Sequence, residues 1–135
     1  MGTTQSPFNN HLLAALPADE FDRIAPNLEL VAMRQRSVIY QSGVQMQYVY
    51  FPTTAIVSLY YVLENGSLSE TAGVGREGLV GTSLFMGGGR APPGLTIVCT
   101  DGYGYRLKAP LLMEEFYRSD SRQSPKVWFS PRISP

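Results

Sequence analysis

The sequence predicts a mainly β protein, a jelly roll or double-stranded β-helix with short flanking α-helices. Its 135 residues suit one domain. From Leu28 onward, short runs of β-branched and aromatic residues follow one another with turn residues between them. The gaps between these runs are too short for the crossover helices that a parallel sheet needs. With 44% hydrophobic and 16% charged residues, the chain can form a core rather than remain disordered.

A helical lead is predicted from Pro7 to Pro26. Leu12, Leu13 and Leu16 recur at a spacing that places them on one face of a helix. Pro17 fits the first position of a second helical turn, because proline has no amide hydrogen to lose there. This lead precedes all the predicted strands.

Eight strands are predicted after the lead. Asn65-Gly66 lies between two of them, and this pair predicts a hairpin with a type I′ turn because both residues tolerate positive φ. The expected strands are Leu28–Met33, Ser37–Tyr40, Met46–Phe51, Ala55–Leu63, Leu68–Val74, Leu79–Phe85, Leu95–Thr100 and Tyr103–Lys108. Strands at this spacing are typical of a sandwich, jelly roll or small barrel.

The chain returns to a helical pattern near its end. Proline opens the segment Pro110–Arg118, Leu112 and Phe116 are four residues apart, and we expect Glu114 and Glu115 to face solvent. After Ser119 the sequence is polar, interrupted by prolines and without a period. It therefore predicts an unstructured tail over residues 119–135, such as a frameshift or a truncation would produce.

Composition excludes several classes of function. One cysteine and one histidine, Cys99 and His11, cannot supply a multi-cysteine zinc site or a Ser–His or Cys–His pair, so we expect no metal site and no catalytic residues. Eleven basic residues balance eleven acidic ones, and a DNA-binding surface is not expected. No apolar run reaches the roughly 18 residues that cross a membrane, and no secretory signal opens the chain. The expected location is the cytoplasm.

One glycine pattern matches the sequence motif of a dinucleotide-binding loop but not its expected structural context. Gly73–Gly78 reads G-x-G-x-x-G after a predicted strand, but such a loop needs a helix and a βαβ unit around it. Strand-like sequence follows instead, which favours a glycine-rich connection between strands. The pairs Glu70/Glu77 and Glu114/Glu115 have no nucleophile or metal ligand nearby in the sequence, so we interpret them as solvated acids rather than as acid–base carboxylates.

The segment Gly75–Thr96 is the candidate ligand-binding region. It is rich in glycine and in small hydroxyl residues, and it contains Arg90. Glycine-rich turns expose backbone amides that can hold an anion, and an arginine can pair with its oxygens. A surface loop without a ligand would have the same composition, and the residues alone leave both interpretations open.

A set of motifs in fixed order resembles the effector domain of Crp/Fnr-type transcription regulators. The similarity covers about residues 8–118, and its motifs are Asn10–Pro17, Val38–Gly43, Tyr48–Pro52, Ile56–Leu59, Glu64–Gly66, Val74–Gly81, Tyr105–Ala109 and Leu112–Phe116. The resemblance implies a β-roll similar to cyclic-nucleotide-binding domains over residues 8–118. It also implies a dimerisation helix and a helix-turn-helix after Phe116, and residues 119–135 contain no pattern for either.

The resemblance also locates a ligand pocket that departs from the family pattern. The family places a glutamate after a glycine for the ribose, and an arginine before a small residue for the cyclic phosphate. At these positions the chain has Gly81-Thr82 and Leu95-Thr96, so both charged groups are missing. The candidate ligand-binding residues are Gly81, Thr82, Ser83, Arg90, Leu95 and Thr96. Arg90 can replace the missing arginine only if its loop folds toward the pocket, and we expect no cyclic nucleotide as a resident cofactor.

The expected function is therefore that of a sensor domain with a degenerate cyclic-nucleotide pocket. Its expected partners are a small-molecule effector and either a second copy or a full-length relative. Sequence-specific DNA binding, membrane binding and enzymatic activity are not expected. The alternative is an interaction module that pairs with a full-length relative without a ligand, through aromatic residues such as Tyr60, Tyr61 and Tyr103.

Overall fold

Two antiparallel sheets form the body of the molecule. The computed structural model describes residues 6–41, 44–81 and 94–120, with residues 41, 61, 62, 71, 72 and 117–120 described in their backbone only. Within these residues the strands are β1 (Glu29–Met33), β2 (Val38–Gln41), β3 (Tyr48–Pro52), β4 (Ile56–Val62), β5 (Leu68–Val74), β6 (Leu95–Thr100) and β7 (Gly102–Lys108). One sheet has the order β1-β7-β3 and the other the order β2-β6-β4-β5. The prediction of a mainly β roll is confirmed.

Short helices flank the strands at both ends, as predicted. The lead contains a 3-10 turn (Pro7–Asn9), α1 (His11–Ala14), α2 (Ala18–Ile24) and a second 3-10 turn (Ala25–Asn27), and α3 (Ala109–Asp120) follows β7. Pro17 lies at the N-cap of α2, one residue before the position predicted for it. Leu12, Leu13 and Leu16 are all buried, which confirms the predicted face of the lead.

The strands pair across large distances in the chain. The central strand of the first sheet, β7, pairs with β1 through Leu30 and Tyr105 and with β3 through Val49 and Leu107. In the second sheet β4 pairs with both β5 and β6. All these pairs are antiparallel, so no crossover helices are needed.

The core lies between the two sheets and is closed by the helices. Phe51 and Val49 from β3 and Leu107 from β7 are fully buried. Val57 and Val98, from the second sheet, are also buried, and Leu13 of α1 and Leu112 of α3 complete the same cluster. Burying a side chain of this size stabilises the fold by about 1.5–3 kcal/mol relative to its exposure to water.

The hairpin predicted at Asn65-Gly66 is present, but the predicted turn type is wrong. The Gly66 amide donates to the Leu63 carbonyl at 2.8 Å, and the Leu63 amide donates to the Ser67 carbonyl at 2.8 Å. Gly66 has φ of +89°, whereas Asn65 does not have positive φ. A type I′ turn needs positive φ at both central residues. The connection is therefore a type I turn followed by one left-handed glycine.

The strand predicted at Leu79–Phe85 is reduced to a single bridge in the described part of the chain. Val80 pairs with Tyr50 of β3, and residues 82–85 lie outside the described residues. The other seven predicted strands all have a counterpart, with bounds that differ by up to two residues.

The expectation that both carboxylates of the last helix face solvent is wrong for Glu115. Glu114 is exposed, but Glu115 is buried and receives Arg23 of α2 in a bidentate contact. The Nε of Arg23 lies 2.9 Å from Oε1 of Glu115, and its Nη2 lies 2.6 Å from Oε2. The hydrogen bond to Glu115 raises the pKa of Arg23. A buried carboxylate is tolerated here because its charge is paired and its oxygens accept hydrogen bonds.

Helix α3 continues to Asp120, two residues past the expected end of the domain at residue 118. The remainder of the predicted tail, residues 121–135, lies outside the described residues. Among the helices that the structure describes, none is long and apolar enough to cross a membrane.

Candidate effector site

The candidate ligand-binding residues fall at the two ends of a segment outside the described part of the chain. Gly81 lies at the entrance and Leu95 and Thr96 at the exit. Thr82, Ser83 and Arg90 lie within residues 82–93, which the structure does not describe, so their assignment to the pocket stays a prediction. The structure describes the residues on either side of this segment, which form the framework that it enters and leaves.

Gly81 occupies a position that only glycine fits. Its φ is +121°, in the region that side chains rarely adopt. A Cβ atom here would lie 2.8 Å from Cγ1 of Val49 and 2.9 Å from the hydroxyl of Tyr40. The preceding residue is fixed as well, because Val80 and Tyr50 exchange backbone hydrogen bonds of 2.8 and 3.1 Å. The entrance to the segment is therefore held tightly against the core.

The exit of the segment enters the second sheet directly. Leu95 and Thr96 are the first residues of β6, and Thr96 is buried. Thr96 lies between Tyr40 of β2 on one side and Leu59 of β4 on the other. Directly opposed residues in an antiparallel sheet point to the same face. Thr96 and Tyr40 thus share the face that is turned to the core.

Tyr40 lies between the entrance and the exit, and no pattern in the sequence marks it. Its hydroxyl donates to the Tyr48 carbonyl at 2.5 Å and lies 3.3 Å from the Val80 carbonyl, one residue before Gly81. Burial, and to a smaller extent the neighbouring Tyr50, raises the pKa of Tyr40. The phenol therefore remains a neutral donor at physiological pH. A tyrosine within a short strand gives no signal of this function in the sequence.

Asn10 fixes the loop that leads to Gly81, and it too was missed. This fully buried side chain donates from Nδ2 to the carbonyls of Pro52 and Gly78, both at 2.8 Å. Its Oδ1 accepts from the amides of Leu12 and Leu13 at 3.0 and 3.1 Å, so it also caps α1. An asparagine before an apolar run is a capping signal, but its contacts with residues 42 and 68 positions away cannot be read from the sequence.

The G-x-G-x-x-G sequence at Gly73–Gly78 opens no helix, as predicted. The Gly78 amide approaches the Gly75 carbonyl at 3.3 Å, and the Glu77 carboxylate accepts from the Gly75 amide at 3.1 Å. The His11 amide donates to the Arg76 carbonyl at 2.7 Å, which ties the turn to the lead. The pattern is a turn between strands.

A polar and aromatic cleft of about 470 Å³ opens beside this framework, between β2, β3 and β7. Tyr40, Tyr48 and Tyr50 line it together with Arg106. The Arg106 guanidinium lies 4.1 Å from the centre of the Tyr48 ring, and its Nε donates to Glu29 at 2.6 Å. The hydrogen bond to Glu29 raises the pKa of Arg106. This cleft has the size of a small-molecule site, and the described residues that line it include no nucleophile–base pair.

No cluster of three or more histidine, cysteine, aspartate or glutamate side chains that could hold a metal occurs among the described residues. Cys99 is exposed and is a free cysteine. Neither observation points to a further reactive group at the cleft or at the framework around Gly81.

Comparison with solved structures identifies the fold. No family model and no curated protein matches the chain. The sensor domain of the transcriptional regulator DNR from Pseudomonas aeruginosa is 12% identical, with a TM-score of 0.67 over 82% of this chain and 74% of that one. The chain has the fold of a cyclic-nucleotide-binding-like sensor domain. The fold that the Crp/Fnr resemblance implied is thereby confirmed.

Two further structures agree with this fold. The regulatory domain of Toxoplasma gondii PKA, crystallised with cAMP, is 7% identical, with a TM-score of 0.70 over 88% of this chain and 49% of that one. The c-di-GMP responsive regulator CLP of Xanthomonas campestris is 16% identical, with a TM-score of 0.63 over 82% and 54%. The chain thus spans about half the length of these two proteins. All three neighbours are regulatory rather than catalytic in description.

Proposed function

We propose that this chain is the effector-sensing domain of a transcription regulator. A small molecule binds where the segment 82–93 meets the framework of Gly81, Tyr40 and Thr96, and the bound state changes the position of α3. The fold of the DNR sensor domain supports this assignment. The observation that carries it is the junction itself, because Tyr40 hydrogen-bonds to Val80 shortly before this segment and pairs with Thr96 shortly after it.

Helix α3 is the output element in this proposal, since it is tied to the β-roll at its start and to the lead further along. The Ala109 amide donates to the Gln47 carbonyl at 2.9 Å, and Glu115 receives Arg23 of α2. A ligand that shifts the lead or the segment between β2 and β3 would therefore act on α3. Such a ligand needs only a different affinity for the two positions of the helix.

The ligand proposed is not a cyclic nucleotide bound by the usual charged contacts. Threonine follows Gly81 where the resemblance implies glutamate, and Leu95-Thr96 replaces the pair that contains arginine. A charge-assisted contact is worth about 1.5–3 kcal/mol, so its loss lowers affinity about tenfold or more. The effector in this proposal therefore carries less negative charge than a cyclic nucleotide.

The test is a thermal-shift titration of the purified chain against cyclic AMP, cyclic GMP and a library of uncharged metabolites. A ligand at 100 times its dissociation constant adds about 2.7 kcal/mol to stability, which raises Tm by several degrees. We expect no saturable rise with cyclic nucleotides at millimolar concentration and a saturable rise with a member of the library. A micromolar response to cyclic AMP would overturn the ligand class, and Arg90→Ala would show whether Arg90 replaces the missing contact.

Hydrogen exchange then tests the transmission to α3. A ligand that raises Tm should change the exchange of the amides of α3, whereas the hairpin at residues 63–67 serves as an internal control. Stabilisation without any change in α3 would contradict the output that we assign to this helix.

The alternative function, an interaction module without a ligand, stays a prediction. Of the aromatic residues considered for such a surface, Tyr103 is 42% exposed, Tyr60 is half-buried, and the side chain of Tyr61 lies outside the described residues. Co-purification with a full-length relative, combined with a flat response to the whole library, would favour this alternative over the sensor.

A further inference from the structure

A second, smaller pocket adjoins the cleft of Tyr40, Tyr48 and Tyr50. Its volume is about 320 Å³, and its lining consists of Gln45, Met46, Gln47, Tyr48, Lys108 and Pro110. We call it the Lys108 pocket. It lies where the connection between β2 and β3 meets the end of β7 and the first turn of α3. The linings of the two pockets share Gln45, Gln47 and Tyr48. Tyr40 lines the cleft but not the Lys108 pocket, and none of the candidate effector residues that the structure describes lines either one.

The Lys108 pocket combines a largely apolar lining with one cation that forms no ion pair among the described residues. Met46 is almost fully buried, and Tyr48 and Pro110 add an aromatic ring and an aliphatic ring. No carboxylate lies within ion-pair distance of Lys108 in the part of the chain that the structure describes. Arg106, two residues earlier on the same strand, is by contrast paired with Glu29. The positive potential is therefore available at Lys108 and largely cancelled at Arg106.

The fold fixes the lysine next to the aromatic ring. Lys108 and Tyr48 are directly opposed partners in the pairing of β7 with β3, so their side chains point to the same face. Helix α3 begins at the next residue, Ala109, and the positive end of its dipole adds to the charge of Lys108. An anionic group bound here would meet two favourable electrostatic contributions.

We propose that the Lys108 pocket binds a planar aromatic carboxylate. The aromatic ring packs against Tyr48 and Pro110. The carboxylate accepts a charge-assisted hydrogen bond from Nζ of Lys108. The volume of about 320 Å³ accommodates one or two fused rings with a short acidic substituent. This site is separate from the effector site proposed above and does not depend on it.

Occupation of the pocket would act at the base of α3. Pro110 belongs to α3, and the Gln47 carbonyl accepts the amide hydrogen of Ala109 at 2.9 Å. A ring bound between Tyr48 and Pro110 therefore lies against the residues that directly follow the two partners of this junction. The site gives the domain a second input to the helix that we assign as its output.

The probe for this site is 2-naphthoate, and its uncharged counterpart 2-naphthylmethanol is the control compound. We expect saturable binding of 2-naphthoate by isothermal titration calorimetry or by saturation-transfer NMR, and binding of the alcohol about tenfold weaker. Lys108→Gln should weaken 2-naphthoate about tenfold and leave the alcohol unchanged. Arg34→Gln removes a charge from an exposed position outside the pocket and should leave both affinities unchanged.

Tyr48→Leu tests the aromatic contact and should weaken both compounds, with the melting curve showing that the variant folds. Equal affinity of wild type and Lys108→Gln for 2-naphthoate would overturn the proposal. So would the absence of saturable binding to the wild type at millimolar concentration. The thermal-shift response to effectors at the first site should be the same in Lys108→Gln and wild type, which keeps the two proposals distinguishable.

Discussion

The hairpin at 63–67 and the loop at 75–81 each contain a glycine of positive φ. Different contacts hold these two connections in place. The hairpin at 63–67 is closed by its own backbone and by Asn65, whose Oδ1 accepts from the Ser67 amide at 2.9 Å. The loop at 75–81 is closed by residues far away in the chain, among them Asn10, His11 and Tyr50. One turn is a local structure and the other is a product of the whole fold.

The surroundings of the two glycines show the same contrast. A Cβ atom on Gly66 would meet nothing within 4 Å, whereas one on Gly81 would approach two side chains to less than 3.0 Å. Gly66 is required for its backbone conformation alone. Gly81 is required for its conformation and for the close packing around it. The loop that leads to the candidate ligand segment is thus held by the core as well as by the local bonds among Gly75, Glu77 and Gly78.

Removing the hydrogen bonds that distant residues make to the 75–81 loop should have the largest effect on the free energy of unfolding. Asn10→Ala leaves the carbonyls of Pro52 and Gly78 and two helix amides without their partner. Because unpaired buried polar groups are costly, we expect a loss of about 3 kcal/mol in the free energy of unfolding, measured with urea. Asn9→Ala, at the exposed neighbour, is the matched control and should change stability by less than about 0.5 kcal/mol.

Asn10→Asp separates the two functions of that side chain. The aspartate still accepts from the amides of α1 but cannot donate to Pro52 and Gly78 when it is ionised. A variant as stable as wild type at neutral pH would show that the loop does not depend on these two bonds.

Substitution of the two glycines compares the connections directly. Gly81→Ala should cost about 2 kcal/mol or more, because an unfavourable backbone is combined with overpacking against Val49 and Tyr40. Gly66→Ala should cost about 1 kcal/mol for the backbone alone. Thermal and urea unfolding measure both. Equal losses would mean that the packing around Gly81 relaxes freely, and the contrast between the two turns would then be wrong.

Tyr40→Phe should lower the free energy of unfolding at neutral pH by only about 1 kcal/mol, for one lost hydrogen bond. The pH dependence gives a sharper measurement. Burial raises the pKa of Tyr40, so the folded state holds this proton more tightly than the unfolded state, whose tyrosine titrates near 10. The resulting stabilisation is complete below pH 10 and is lost as the pH rises above it. Wild type should therefore lose more stability than Tyr40→Phe between about pH 9.5 and 11.5.

Tyr103→Phe removes a hydroxyl from an exposed ring and serves as the control for that experiment at neutral pH. It should change the free energy of unfolding by less than about 0.5 kcal/mol. Identical alkaline curves for wild type and Tyr40→Phe would show that the Tyr40 hydroxyl is accessible to solvent.

The parts of the fold that the sequence predicted are those with a local cause. Seven of the predicted strands, the leucines of the lead and the hairpin at Asn65-Gly66 depend on residues close together in the chain, and all are confirmed. The turn type failed because Asn65 tolerates positive φ without requiring it. Composition alone does not distinguish a type I′ turn from a type I turn followed by glycine.

The contacts that could not be predicted join distant residues. The sequence around Glu115 has helical spacing, which predicts which residues share a face but not that Arg23 of another helix pairs with one of them. The same holds for Tyr40, whose partners become neighbours only when β2, β3 and the 75–81 loop are assembled. Of the candidate site, the sequence indicated Gly81 and Thr96 but not the tyrosine between them.

The pairing of β1 with β7 also determines when the molecule can be completed. Glu29 is opposite Arg106, so the backbone groups of β1 have no partner strand until β7 is in place. On the ribosome most of the chain must be synthesised before this sheet can close. Contacts between residues so far apart close large loops, and chains dominated by them fold in milliseconds to seconds rather than microseconds. The edge of β1 remains exposed during that interval, and a second unfinished chain is its most accessible wrong partner.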